Sequence, residues 1–451
     1  MLAGIALMSM RSALSALPFL TLPDPLISGE GALDPLGLAM IAERLAEDIL
    51  PGLRARMARP RFVTAIAVAA AVCDGLQDQY ASDGVTPAHI VFEWLAIEAF
   101  VRVGDHGATL GTPGIQKGRE ARSRNDAMCA RTYLKTPSVF GFHGVYKPLA
   151  QHLGIVDDEL RLADRGYELL KVWQWEQGLD GFLDSTNVNG PGRLARQTLR
   201  SALDAGLAAS CTQRGNGWQG WELLANHLAP ARIGQHEARL IRRLLTDPDS
   251  ASRGEIFDLL FEAPGRRERS EEEVTDSTLM PGAKAELSAR LNAISAYEKV
   301  CASLEETFDW IRYLSTHSVG RPITVAQFGQ AERVRRIAKD LGENLHCAES
   351  AMAISPLPIQ QLFSWLVKSF SGVRDAGTLF EAILARHAQV QADKPPTGTK
   401  RSWFERAPEG ATFVRPPYRL HEPPKSERGW NRPYRIHAAV SFVSDLEIAH
   451  A

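Results

Sequence analysis

Eight apolar positions, Leu287, Leu291, Ile294, Tyr297, Cys301, Leu304, Phe308 and Ile311, recur at intervals of three or four residues without a break. Only an α-helix brings residues at that spacing onto one face, which leaves Glu298, Glu305 and Arg312 for the wet side. Gly320-Arg321-Pro322 then breaks the pattern. Thr324 to Ala353 carries Val334, Ile337, Leu341 and Leu345 as a second helix, so the pair reads as an antiparallel hairpin. Such a hairpin is either buried in its own domain or docks a partner helix.

The same spacing recurs upstream. Asp34-Pro35 offers an N-cap and an N1 proline, after which Leu38, Ile41, Leu45 and Ile49 lie on one stripe until Pro51-Gly52. Val63 to Leu76 and Ala88 to Val101 read as two more apolar helices, parted by the turn Ser82-Asp83-Gly84. The longest apolar run, Val63 to Cys73, is about half the roughly 20 residues that a membrane span requires, so it is expected to be a buried core helix and no membrane partner is expected. Arg11 and Pro18 interrupt the apolar start of the chain, which argues against a secretory signal, and Met8 or Met10 are alternative starts.

The 451 residues suffice for roughly two to four domains. With 51 Lys and Arg against 53 Asp and Glu, any electrostatic partner has to be met by a local patch. Cys73, Cys129, Cys211, Cys301 and Cys347 form no CxxC pair, so neither a disulfide framework nor a zinc site is indicated, and a reducing cytoplasm fits best. The pattern divides the chain into an N-terminal helical module (1–104), a winged-helix-like module (105–185), a helical module (186–263), a charged linker (264–283), the hairpin domain (284–390) and an extended basic and aromatic Pro-rich tail (391–451). The expected fold class is therefore mainly α: a multidomain helical protein with a winged helix-turn-helix module and an extended C-terminal segment.

Function is legible in only one stretch. Lys117 to Lys135 holds Lys117, Arg119, Arg122, Arg124, Arg131 and Lys135 against Glu120 and Asp126. Thr136-Pro137 follows as a helix stop, then a short helix over Tyr146, Leu149, Ala150 and Leu153 ended by Gly154, a turn at Asp157-Asp158, Leu160-Arg161-Leu162, and a helix opened by Asp164. The order helix, helix, tiny hairpin, helix resembles a winged helix-turn-helix, whose helix enters a groove while basic residues grip phosphates. The piece Leu160 to Leu170 looks like the strand-to-helix passage that closes the wing in many bacterial winged-helix proteins; Ala163 stands where a Thr is usual, and Asp164 can cap instead. Lys117, Arg119, Arg122, Arg124, Arg131, Lys135, Tyr146, Lys147, Arg161 and Arg165 are thus the expected nucleic-acid contacts, with a protein-binding winged helix or a plain helical bundle as alternatives.

Lys394 to Arg435 carries ten basic and four acidic residues interleaved with prolines and with Trp403, Phe404, Phe413, Tyr418, Trp430 and Tyr434. It is either a tail anchored by its aromatics on the protein's own surface or an arm for nucleic acid. Other motifs fail. Gly215 to Gly220 matches GxGxxG but follows an Ala-rich helix rather than a strand. His346 and Cys347 point to different helix faces, and Asp249 with Glu255 lacks the lysine of a nuclease site. With no P-loop, GxSxG or HExxH, no catalytic residue, metal or cofactor is expected.

Leu33 to Gly37, Leu50-Pro51-Gly52-Leu53, Arg61-Phe62 and Glu93-Trp94-Leu95 resemble uncharacterised proteins of bacterial defence islands over the first quarter of the chain. The resemblance implies only a cytoplasmic, multi-gene anti-phage or anti-plasmid context. Joined to the basic stretch, it gives the expectation of a protein that contacts duplex or single-stranded DNA through residues 117–165 and assists a separate nuclease, helicase or ATPase among the other proteins of a defence complex. The alternative is a helical scaffold or adaptor that binds only protein through 284–353.

Overall fold

A computed structural model describes residues 34–103, 107–183, 190–213, 215–247, 251–263, 269–318, 322–395, 397–398, 400–407, 411–424 and 429–448. The expectations for residues 1–20, for the Pro248-Asp249 pair and for the charged run 264–268 lie outside these residues. The chain is mainly helical, and it divides into two compact units rather than a string of modules. Residues 43–291 and 433–448 form the first; residues 34–42 and 292–432 form the second.

The first unit is built from α1 (Ala39–Ile49), α2 (Phe62–Val72), α3 (Ala88–Val103), α4 (Ile115–Ser123), α5 (Pro137–Phe140), α6 (Phe142–His152), α7 (Asp164–Glu176), α8 (Pro191–Ala209), α9 (Gly220–Leu228), α10 (Gln235–Leu245) and α11 (Ala251–Phe261). A helix that is apolar all round has to be surrounded. Every residue of α2 is buried, as is α3 from Ile90 to Phe100. Helix α3 packs against α2, α4, α6, α8 and α9, and so lies at the centre of the unit. Its start is fixed by the expected turn: Asp83 accepts from the amides of Val85 and Thr86, each at 2.9 Å, and Gly84 takes φ +72°.

A buried polar knot ties the early helices to the later ones. Arg61 is 1% exposed; its guanidinium donates to the carbonyls of Ala229 (2.7 Å) and His227 (2.9 Å), at the end of α9, and to Glu237 Oε1 (3.3 Å). Thr64 Oγ1 donates to the same carboxylate oxygen at 2.6 Å. Glu176, on α7, accepts from the amides of His236 (2.6 Å) and Glu237 (2.8 Å), placing a negative charge at the N-terminus of α10.

The winged-helix expectation is met only in element order. Helices α4, α6 and α7 stand in the expected order, but Thr136-Pro137, expected to stop a helix, instead opens α5 with Pro137 at its first turn, and the hairpin is a single antiparallel bridge, Val156 to Leu162, with no strand. Nor is the segment a separate module, because α6 and α7 both pack against α2. The expected linker is corrected over residues 271–282, which are helical: Glu271–Val274 opens with a Ser270 capping box and continues through Thr275–Leu279 to Met280–Gly282. Val274 and Leu279 are fully buried, which gives this acidic stretch the apolar anchors that its charges obscure.

The second unit carries most of α12 (Ala285–His317), followed by α13 (Glu332–Ala351), α14 (Leu357–Phe370) and α15 (Ala376–Asp393). The eight stripe residues of α12 are all 2% exposed or less. Glu306 of α12 accepts from Nε and Nη2 of Arg333 of α13, each at 2.8 Å. The aromatic tail is no free arm: β1 (Phe404–Arg406) pairs antiparallel with β2 (Thr412–Val414) in the register Phe404 to Val414. Trp403 and Phe404 are buried against Phe308, and Trp403 stacks on Tyr418 at 4.3 Å between centroids. The last helix, α16 (Ile436–Ile448), belongs to the first unit, where Arg435 pairs with Glu43 and Glu47, and Arg59 with Asp445.

His387 links α15 to this hairpin. Its Nδ1 donates to the Pro35 carbonyl (2.8 Å) and its Nε2 accepts from the Trp403 amide (2.9 Å), so both nitrogens are committed as neutral imidazole. Burial, aided by the charge of Lys394 and opposed by the Pro35 bond, pulls its pKa down to about 4. The unfolded chain has the ordinary value of about 6.5, so this contribution is complete above about pH 6.5 and fades as pH falls toward about 4, where the unfolded state takes up the proton first. Urea midpoints of the second unit measured across pH 7 to 4 are expected to fall more steeply in the natural chain than in His387→Gln. Parallel curves would contradict the neutral assignment.

Candidate binding cleft

A cleft of about 560 Å³ opens in the first unit beside α3, α5 and α6, within the roughly 300–1,000 Å³ usual for small-molecule sites. Ile90, Trp94, Leu134 and Leu160 supply apolar wall, and Lys135, Ser138, His143 and Lys147 supply polar groups. A smaller cavity of about 170 Å³ adjoins it and shares His89, His143, Lys147 and Leu160. Leu160 sits at φ +61°, strained for a residue with a side chain, and lines both.

Behind the wall lies Glu93, fully buried on α3. Its Oε1 accepts from the Tyr133 hydroxyl at 2.6 Å, and its Oε2 from the His143 amide at 2.9 Å and from His143 Nδ1 at 3.0 Å. Three donors converging on one carboxylate fix the imidazole with Nδ1 toward Glu93. That leaves His143 Nε2, on the far edge of the ring, buried and without a hydrogen-bond partner among the described residues; the indole Nε1 of Trp94 is in the same state. Each such group forgoes roughly 1–3 kcal/mol until a partner arrives.

Glycines make this approach possible. A Cβ at Gly141 would lie 1.9 Å from Glu93 Oε1, one at Gly144 2.4 Å from the Ser138 carbonyl, and one at Gly114 2.1 Å from the Tyr133 hydroxyl. Gly141 thus lets the chain close on the carboxylate, while Gly144 lets α6 close on the Ser138 backbone. Burial, then the Glu93 charge, raises the Tyr133 phenol far above its ordinary pKa, so it stays a donor. Burial, then the neighbouring His143 and Lys147, lower His89 to about 3 and keep it neutral, 5.2 Å from His143 between ring centres. Cys73, in the smaller cavity, is raised by burial to about 12 and is no thiolate nucleophile. Among the described residues no group of three or more His, Cys, Asp or Glu is placed to hold a metal ion.

The residues expected to contact nucleic acid are dispersed in their surroundings. Lys117 is paired with Glu120 (2.7 Å), Arg124 with Asp126 (3.3 Å) and Arg165 with Asp247 (2.5 Å). Arg161 lies 4.0 Å from Glu159, and half-buried Arg119 donates to Thr109. Tyr146 is corrected to a core residue: it is fully buried, its hydroxyl accepts from the amides of Ala58 and Arg59, and its ring packs on Phe62 and Phe442. Arg122, Arg131 and Lys135 are exposed and engage no acid among the described residues. Lys135 and Lys147 do come together, on the cleft wall.

Sequence reading missed Glu93, His143, His89 and Tyr133 as a group. One signal was present: His89 and Glu93 are four apart on a predicted helix, hence on one face. No protein-family model, curated protein or solved structure matches this chain. No helix among the described residues is long and apolar enough to cross a membrane.

Proposed function

We propose that this chain binds an acidic small molecule in the Trp94–His143 cleft, with His143 Nε2 exchanging a hydrogen bond or a proton with it. The observation that carries this reading is a pair of buried, unpartnered ring nitrogens that belong to two residues lining one cleft, one of them on a ring backed by a carboxylate. With Nδ1 on Glu93, Nε2 is the ring nitrogen of His143 left to exchange a hydrogen bond or a proton with a ligand hydroxyl or amine. Lys135 and Lys147 favour a carboxylate or phosphate, and Ile90, Trp94, Leu134 and Leu160 favour an attached apolar or planar body.

Thermal shift and calorimetric titration with carboxylates, phosphorylated nucleosides and their neutral analogues test it. Acidic members are expected to bind, with affinity falling about tenfold or more in His143→Gln, the loss of one buried hydrogen bond, and falling again in Lys135→Ala/Lys147→Ala. Equal response to the neutral analogues, or no response to any acid, would refute it. A competing reading, an accessory nucleic-acid binder of a defence system, draws on exposed Arg122, Arg131 and Lys135. It would replace the first if a labelled duplex bound with steep salt dependence and lost that binding when these three were Ala.

A further inference from the structure

Cys129 and Cys211 are opposed in an isolated antiparallel bridge. The flanking bond runs from the Thr212 amide to the Met128 carbonyl at 2.9 Å, which makes Cys129 and Cys211 a non-hydrogen-bonded pair. In such a pair both side chains leave the same face and the Cα atoms lie about 4.5 Å apart. That is within the roughly 4.4–6.8 Å over which a disulfide forms without moving the backbone. Both residues are free thiols and both are partly accessible, unlike Cys73 and Cys301, which are buried. The bridge is held from both sides. The Met128 amide donates to Thr212 Oγ1 (2.9 Å), the Cys129 amide to Thr132 Oγ1 (2.9 Å), and the Asp83 amide to the hydroxyl of Ser210, which turns the chain out of α8 at φ +53°.

We propose that Cys129 and Cys211 form a reversible disulfide on reaction with a small-molecule disulfide such as oxidised glutathione. One thiolate attacks the glutathione disulfide and expels glutathione thiolate, giving a mixed disulfide. The opposed thiolate then attacks the protein sulfur of that adduct and expels the second glutathione. Two protein thiols are oxidised and one glutathione disulfide is reduced to two thiols. The product fastens 128–134 to 211–212. That first segment carries Ala130 and Leu134 of the cleft wall and Tyr133, the donor to Glu93, so oxidation stiffens one side of the cleft whatever ligand it takes.

The full chain, reduced and then treated with glutathione disulfide, is digested with trypsin without reductant. Cleavage at arginine leaves Cys129 in peptide 125–131 and Cys211 in peptide 201–214. The expected product is these two peptides joined, two hydrogens lighter than their sum, in the monomeric protein. Cys211→Ser is expected to leave Cys129 as a lasting glutathione adduct that the natural chain does not accumulate, and Cys129→Ser the converse. Exposed Cys347 reports that the oxidant has worked. If Cys347 is modified while Cys129 and Cys211 remain free thiols, or each carries its own glutathione, the proposal is overturned.

Discussion

Replacing Arg61 by Met is expected to destabilise the first unit by about 3–5 kcal/mol, measured as the shift of its urea midpoint, because removing one partner of a buried ion pair strands the other. Glu237 is fully buried and would keep only Thr64 and the Gly234 amide as donors, while the His227 and Ala229 carbonyls would each lose a charged donor. The double change Arg61→Met/Glu237→Met is expected to recover a substantial part of the loss, since it removes the stranded carboxylate as well. A single-variant loss below about 1 kcal/mol would mean that water reaches this knot and that it does not fasten α2 to α9 and α10.

Glu93→Leu is expected to cost at least about 3 kcal/mol, because it orphans the Tyr133 hydroxyl and the amide and Nδ1 donors of His143 at roughly 1–3 kcal/mol each. Glu93→Gln keeps one acceptor oxygen but turns an amide N–H₂ toward a donor, so a loss of about 1–3 kcal/mol is expected. The conservative variant separates scaffold from chemistry. If the carboxylate sets the imidazole for binding, Glu93→Gln loses ligand affinity under conditions where it is still fully folded. If affinity is retained, Glu93 only holds the helices together.

What the sequence disclosed followed from periodicity. The stripe of α12 and the all-apolar α2 were legible because burial there repeats with the helix period and nothing else does. Residues 271–282 were misread because three consecutive glutamates outweighed Val274 and Leu279, yet Ser270 and Glu273 form a capping box that marks a helix start. In the tail, the prolines hide the short pairing of Phe404 with Val414, whereas the aromatics read as anchors are found as anchors, with Trp403 and Phe404 buried against Phe308. In the cleft, His89 and Glu93 were recoverable from their spacing, whereas His143 and Tyr133 reach Glu93 from 50 and 40 residues away. No local pattern encodes such a meeting. A count of the cations of 117–135 does not show which ones an acid already neutralises.

The first unit is closed by α16, whose Phe442 meets Tyr146 and whose Asp445 meets Arg59, and which is encoded after the whole of 292–432. On the ribosome, the surface that α16 covers therefore emerges long before its lid, and a second folding unit is translated in the interval. The order of synthesis is the reverse of the order of completion. A nascent chain of this design carries uncovered Tyr146 through most of its elongation, which makes it a natural client for chaperones that shield apolar patches until release.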